Sequence, residues 1–328
     1  MKIRPSLLLV LCLFPASAPA ADLPKEKAKP KTEAETFLDP EKAGPDYAEQ
    51  GEYSNDWGGA QVIALGNGNF RLVIYPGGLP GAGWDQNTKT STEGKREGSK
   101  INFAPSANGF KHSVANGVLT TLNSSGEEYT MQKIQRTSPS LGAKPPPGSV
   151  VLYNGSGASA WNGAHVDSRG LLAAGATSKQ VFTNFTLHAE FLLPFKPLGR
   201  GQDRGNSGVY LQDRYEIQVL DSFGLKGEAD ECGAVYSQVA PKVNMCFPPL
   251  TWQTYDIDFE AAQFGSDGKK TKNAVATVKH NGVLIHDRQQ LKGPTGGGKP
   301  EGPSGGGIQL QGHGNPVFYR NIWVVPRD

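Results

Sequence analysis

Residues 205–222, GNSGVYLQDRYEIQVLDS, constrain the fold of this chain more than any other stretch. In its second half Arg214, Glu216 and Gln218 share one side while Tyr215, Ile217 and Val219 share the other. A period of two is met by an extended strand with one buried face. The pattern recurs: residues 182–191 set Phe185, Leu187, Ala189 and Phe191 against Thr186, His188 and Glu190, and residues 252–260 alternate again. Long stretches with the 3.6-residue period of a helix are almost lacking, and 42 glycines and 24 prolines punctuate the chain. The sequence therefore predicts an all-β protein of many short strands joined by turns. Membrane barrels share that look, but too few runs here have the ten-residue lipid-facing form, and the loops are long and polar.

The chain opens with Lys2 and Arg4, an apolar run over 7–14, and small residues at Ala18-Pro19-Ala20. Charge, hydrophobe and small residue in that order predict a secretory signal peptide over 1–20. The apolar run is too short to span a bilayer as a helix. Removing Lys2 and Arg4 from 33 basic and 31 acidic residues leaves 31 of each. A near-neutral mature chain argues against nucleic acid or an anionic membrane as partner. Export places the protein in a secreted or periplasmic, oxidising setting, where Cys232 and Cys246 are expected to form one disulfide.

Residues 21–50 are rich in Lys, Glu, Pro and Ala and read as a flexible charged leader, with order beginning near Tyr47 or Tyr53. Residues 51–140 form an N-terminal β-rich region, in which 61–65 and 69–75 make a hairpin around GNGN. Further strands are expected at 101–103, 118–123 and 128–135, and the polar stretch 85–98 reads as a mobile loop. This region is either a unit of its own or strands laid on the larger one. The glycine-rich run after Tyr75 lacks the Lys-Ser/Thr end and following helix of a phosphate loop. Residues 136–150, with three consecutive prolines, break the chain, and residues 150–328 form the second domain. There the HNG turn predicts a hairpin, and His286-Asp287 reads as an exposed pair.

Six segments in order, FTLHAEFLLP, GNSGVYLQDRYEIQVLDS, GAVYSQVAP, WQTYDIDF, KHNGVLIHD and GGIQLQGHGNPVFYRNIWVVP, resemble the 3-keto-disaccharide hydrolase domain family over about 150–327. The resemblance implies an antiparallel β-sandwich, a jelly roll of the concanavalin A-like lectin and glucanase superfamily. Many such proteins are exported by bacteria. It further implies cleavage of a glycosidic bond in a sugar oxidised at carbon 3.

Glycoside cleavage ordinarily takes two carboxyl groups. A 3-ketone acidifies the neighbouring C–H bonds, so that proton abstraction at carbon 2 can expel the glycosidic oxygen, with water added afterwards. One base, one acid and a group polarising the ketone then suffice. The candidate catalytic residues are Glu216, His313 in the QGHGNP element that the family resemblance places near a cleft, and Glu190, which partners Glu216 if their strands adjoin. Asp221 falls off the polar side and reads as a turn cap. Arg214, Gln218, Asn206, His188, Gln309 and Gln311 are candidate hydroxyl contacts. Trp161, Tyr210 and Tyr319 are candidate sugar platforms, although aromatics at these spacings also suit a core.

No His-x-x-x-His or Asp-rich spacing specifies a metal, and a calcium ion at a sandwich surface stays open. The expected partner is a carbohydrate or glycoside. The expected function is an exported enzyme cleaving 3-keto-glycosides or related disaccharides by carboxylate and histidine acid–base chemistry. The alternatives are a non-catalytic carbohydrate-binding or cell-surface module and a structural or adhesion role.

Overall fold

The computed structural model describes residues 35–107 and 109–328. The expected signal peptide and residues 21–34 of the expected leader lie outside the described residues.

The first half of the chain is a run of antiparallel hairpins: β1 (Gly51–Asn55), β2 (Gly58–Gly66), β3 (Asn69–Pro76), β4 (Thr90–Glu97), β5 (Lys100–Phe103), β6 (Lys111–Ala115), β7 (Val118–Leu122) and β8 (Glu128–Ile134). Strand β8 pairs back onto β1, so the eight strands close into a barrel. Two Asn-Gly turns set the hairpin register. Asn67 and Gly68 have φ of 56° and 70°, and Asn116 and Gly117 of 51° and 74°, the left-handed pair that a two-residue hairpin turn needs. Alternate residues point inward, where Tyr53, Val62, Phe70, Leu72, Val114 and Leu119 fill the barrel.

Two expectations change here. Within residues 85–98, expected as a mobile loop, residues 90–97 are not loop, because β4 is a full barrel strand between β3 and β5. Its sequence, TSTEGKRE, carries no apolar alternation because its inward positions are threonines and Gly94. A Cβ at Gly94 would lie 2.5 Å from the Phe103 ring.

Nor is the leader flexible throughout, since residues 35–50 fold onto the barrel. Phe37 pairs with the Phe195 backbone, and a short helix, α1 (Gly44–Glu49), follows. The Asp46 carboxylate accepts from Gly68 N and Arg96, and Glu49 accepts from Asn116 N and Gly117 N. Acids that read as solvating charge thus satisfy turn amides and fix α1 over one end of the barrel.

The second half supplies β9 (Val150–Tyr153), β10 (Trp161–Asn162), β11 (Leu172–Ala173), β12 (Ala176–Ser178), β13 (Asn184–Leu192), β14 (Ser207–Leu211) and β15 (Tyr215–Val219). After these come β16 (Trp252–Glu260), β17 (Gln263–Phe264), β18 (Lys270–Lys272), β19 (Ala274–His280), β20 (Val283–Leu291), β21 (Gln309–Leu310) and β22 (Phe318–Arg327). One sheet has the order β10-β12-β21-β14-β15. The other runs β11-β22-β13-β16-β19-β20, with β9 also paired to β22. The predicted alternation holds, since Tyr215, Ile217 and Val219 share one core with Phe185, Leu187, Ala189 and Phe191. Polar residues of β13 and β15 therefore face outward on opposite sides of the two-sheet stack.

The stack meets the barrel through a small apolar cluster of Ile63, Val73, Tyr75, Leu79 and Phe223. Asp221 caps its turn, accepting from Phe223 N, and also takes a 2.8 Å ion pair from Arg204. Arg204 in turn donates to Ala64 O in the barrel.

Candidate active site

Glu216 faces outward from β15 and is only 1% exposed. Tyr210 stands across from it on the neighbouring strand, and Gly208, across from Gln218, lies diagonally, where a Cβ would lie 2.2 Å from Glu216 Oε1. The carboxyl can fold over β14 because that position has no side chain. The Tyr210 hydroxyl lies 2.9 Å from Glu216 Oε2 and 2.5 Å from Gly296 O, and it accepts from Gln311 Nε2 at 3.2 Å. Glu216 N donates to Thr295 Oγ1. Burial raises the Glu216 pKa to about 7, with the Tyr210 hydroxyl pulling weakly the other way. Such a carboxyl can both take and give a proton near neutrality.

Amides surround this acid. Gln202 Oε1 accepts from Asn206 Nδ2 at 2.8 Å and from Gln218 Nε2 at 3.1 Å. Asn206 Oδ1 and Gln311 Oε1 are buried acceptors with no donor. Unpaired buried acceptors are costly, and ligand hydroxyls would satisfy them.

Residues 293–305 cover one side of the site. Arg214 donates to Pro300 O, Ser304 O and Gln212 Oε1, and Tyr215 donates to Glu301 at 2.6 Å. On the far side Val235 bridges to Ile217 at the sheet edge.

A family model described as the 3-keto-alpha-glucoside-1,2-lyase-like domain matches residues 148–325. The chain belongs to this family. The matched residues span β9 to β22 and leave out the barrel. Two solved structures, each of a "putative glycosyl hydrolase" from Parabacteroides distasonis ATCC 8503, are similar to it. One is 31% identical with a TM-score of 0.51, covering 56% of this chain and 85% of that protein. The other is 18% identical with a TM-score of 0.42, covering 55% and 94%. No curated protein matches the chain.

Within the family domain, the predicted site residues divide. Glu216, Gln218, Asn206, Tyr210 and Gln311 come together. Gln309 is half-buried on β21, where its backbone pairs with Tyr210. His313 is exposed on the loop after β21, two residues beyond Gln311.

Glu190 and His188 do not join them, because β13 belongs to the other sheet and faces the opposite side. Glu190 accepts from Arg320 Nε at 2.7 Å, Asn321 Nδ2 at 2.8 Å and Gly142 N at 2.6 Å. Burial pushes its pKa up, but these bonds and His188 outweigh it and hold it at about 2. His188 stacks on Trp323 and lies 2.6 Å from Asp256. Burial alone would lower its pKa, yet Asp256 and Glu190 raise it. The cluster pins residues 138–142 to the sheet.

Other expectations are corrected by burial. Trp161 is no platform, since it lies in the core and donates to Leu152 O. The Tyr210 ring is likewise buried and only its hydroxyl serves the site, while Tyr319 is in the core with its hydroxyl on Ser207. Arg214 is spent on holding residues 300–304. His286 is not exposed but buried, 2.7 Å from Gly233 O.

Cys232 and Cys246 are free buried thiols, not a disulfide. Cys232 Sγ lies 3.3 Å from the Tyr255 hydroxyl and Cys246 Sγ 3.4 Å from Leu220 O. Burial, with the neighbouring Cys232 adding to it, pushes the Cys246 thiol well above its usual range.

Among the described residues no three His, Cys, Asp or Glu side chains group to hold a metal ion, and no helix is long and apolar enough to cross a membrane. Sequence reasoning missed Thr295 and Gln202, for which no signal exists in the chain. It also missed Gly208, which a glycine inside an alternating strand did mark.

Proposed function

We propose that this protein cleaves 3-keto-glycosides at the outer face of the five-stranded sheet, with Glu216 moving the proton. The observation that carries the reading is a buried carboxyl with a pKa of about 7, set among amide oxygens that lack donors. In its ionised form Glu216 takes the proton from carbon 2, which the 3-ketone has made acidic. The C–H electrons form the C1=C2 bond, the C1–O bond breaks, and the leaving oxygen takes a proton. His313, exposed on the loop after β21 of the same sheet, is the proposed donor. Water then adds across C1=C2 to give the free 3-keto sugar. Asn206 and Gln311 would accept from sugar hydroxyls, and residues 293–305 would keep bulk water from the carboxyl.

We read the two-sheet stack, residues 150–328, as a jelly roll of the concanavalin A-like kind. The signal peptide read in residues 1–20 would deliver it outside the cytoplasm, where glycosides are met.

The test incubates the purified protein with oxidised and ordinary disaccharides, with and without chelator, beside Glu216→Gln and His313→Ala. Glu216→Gln is expected to lower kcat on a 3-keto-glucoside by about 100- to 10,000-fold while binding survives. Unchanged turnover in that variant removes Glu216 from the reaction. Saturable binding with no product from the unaltered protein points instead to a binding module.

A further inference from the structure

The barrel lies outside the family domain, and its two ends differ. Helix α1 closes the end that carries the Asn67-Gly68 and Asn116-Gly117 turns. The opposite end, at the β1–β2 turn and the β5–β6 connection, opens into a chamber of about 470 Å³. Small-molecule sites commonly measure about 300–1,000 Å³, and an eight-stranded barrel has room for one small ligand.

The chamber lies inside the barrel, not on its outer wall. Ile74, His112, Thr121 and Tyr129 line it, and each stands two residues along its strand from an inward core residue, namely Leu72, Val114, Leu119 and Met131. Below Met131 the barrel is packed with Phe70, Leu72 and Leu119, so the space is shallow and suits a short molecule rather than a chain.

The walls specify its chemistry. Among the described residues no charged side chain lines the chamber. Trp57, 53% exposed at the mouth, meets Tyr129 edge to face at 5.6 Å, and Phe110, Pro76 and Met131 add flat or polarisable surface. Polar groups gather at one place: His112 lies between Thr121 Oγ1 at 2.9 Å and Ser106 Oγ at 3.2 Å. Both ring nitrogens are engaged, and burial lowers the His112 pKa, which keeps the ring neutral. Ser106 Oγ also donates to Phe110 O at 3.2 Å, and the Thr121 hydroxyl is of the kind that can give or take a hydrogen bond.

We propose that the open end of the barrel binds a neutral, flat aromatic molecule carrying a hydroxyl group, its ring against Trp57 and Tyr129 and its hydroxyl toward Thr121. This site is independent of the Glu216 site.

Calorimetric titration of the full chain tests it, with 2-naphthol as probe and 2-naphthalenesulfonate and glucose as comparisons. One molecule of 2-naphthol is expected to bind with a Kd below about 100 μM. The sulfonate should bind at least about tenfold more weakly, because no cation lines the chamber, and glucose should give no heat. Thr90→Trp, which fills the exposed rim, is expected to weaken 2-naphthol binding at least about tenfold, leaving the melting temperature and 3-keto-glucoside turnover unchanged. Trp57→Ala carries the same test should the larger residue disturb the fold. No saturable binding of 2-naphthol, or binding that neither variant weakens while the protein stays folded, overturns the proposal.

Discussion

At Glu216 burial carries the carboxyl from 4.5 up to about 7, whereas at Glu190 burial is outweighed by four donors and the carboxyl falls to about 2. The two acids must therefore respond to pH with opposite sign. Between 4.5 and 7 the folded protein keeps the Glu216 proton that the unfolded chain has lost. Its contribution to stability is full below pH 4.5 and is lost as pH rises through 7. Glu190 behaves the other way: its contribution is full above 4.5 and disappears as pH falls toward 2. Glu216→Gln removes the cost of a buried charge. It should stabilise the protein at pH 8 by roughly 2–3 kcal/mol and leave it little changed near pH 4. Urea denaturation at the two pH values measures this, and an equal effect at both would mean the carboxyl is not held neutral by burial. A site residue whose removal stabilises the fold is one kept for chemistry.

At the scale of the element, period-two alternation made the strands of both sheets legible, and β16 spans residues 252–260 as read. Alternation assigns a residue to a side of its strand, but it does not say which sheet the strand joins. Glu190 and Glu216 looked alike for that reason, and only the strand order sets them on opposite faces. The Asn-Gly turns were legible because their φ demand is local. Strand β4 and helix α1 were not, because what holds them is distant. Barrel closure places β4, and turn amides 22 and 67 residues away bind Asp46 and Glu49. The breaker at 136–150 is a similar case, since what ties it down, Gly142 N to Glu190 and Ser140 to Asp256, lies far along the chain. Glu190→Gln gives up the ion pair with Arg320 and weakens the acceptor for Gly142. Hydrogen exchange at the Gly142 amide should then quicken at least about tenfold, with amides inside β13 unmoved. Unchanged protection at Gly142 would mean that the prolines, not the carboxylate, order the segment.

On the scale of the whole molecule, the barrel and the two-sheet stack form one compact unit. Their joint contains groups that neither half could leave exposed or unpaired without cost. Phe195, carried by the second half, is buried in the barrel's own core. Glu52 of β1 is paired with Arg136 at 2.6 Å. Arg204 is central, since its ion pair with Asp221 is buried and it also donates to Ala64 O across the joint. Arg204→Met would leave the Asp221 carboxylate buried without its cation, which costs about 3–5 kcal/mol. If the joint makes the halves fold as one, calorimetry of the full chain shows a single transition. In Arg204→Met that one transition moves down by roughly 5–10 °C. Two transitions, of which the substitution moves only one, would show that barrel and stack unfold separately. The chamber in the barrel and the proposed site at Glu216 would then have no shared stability through which ligand at one could strengthen the other.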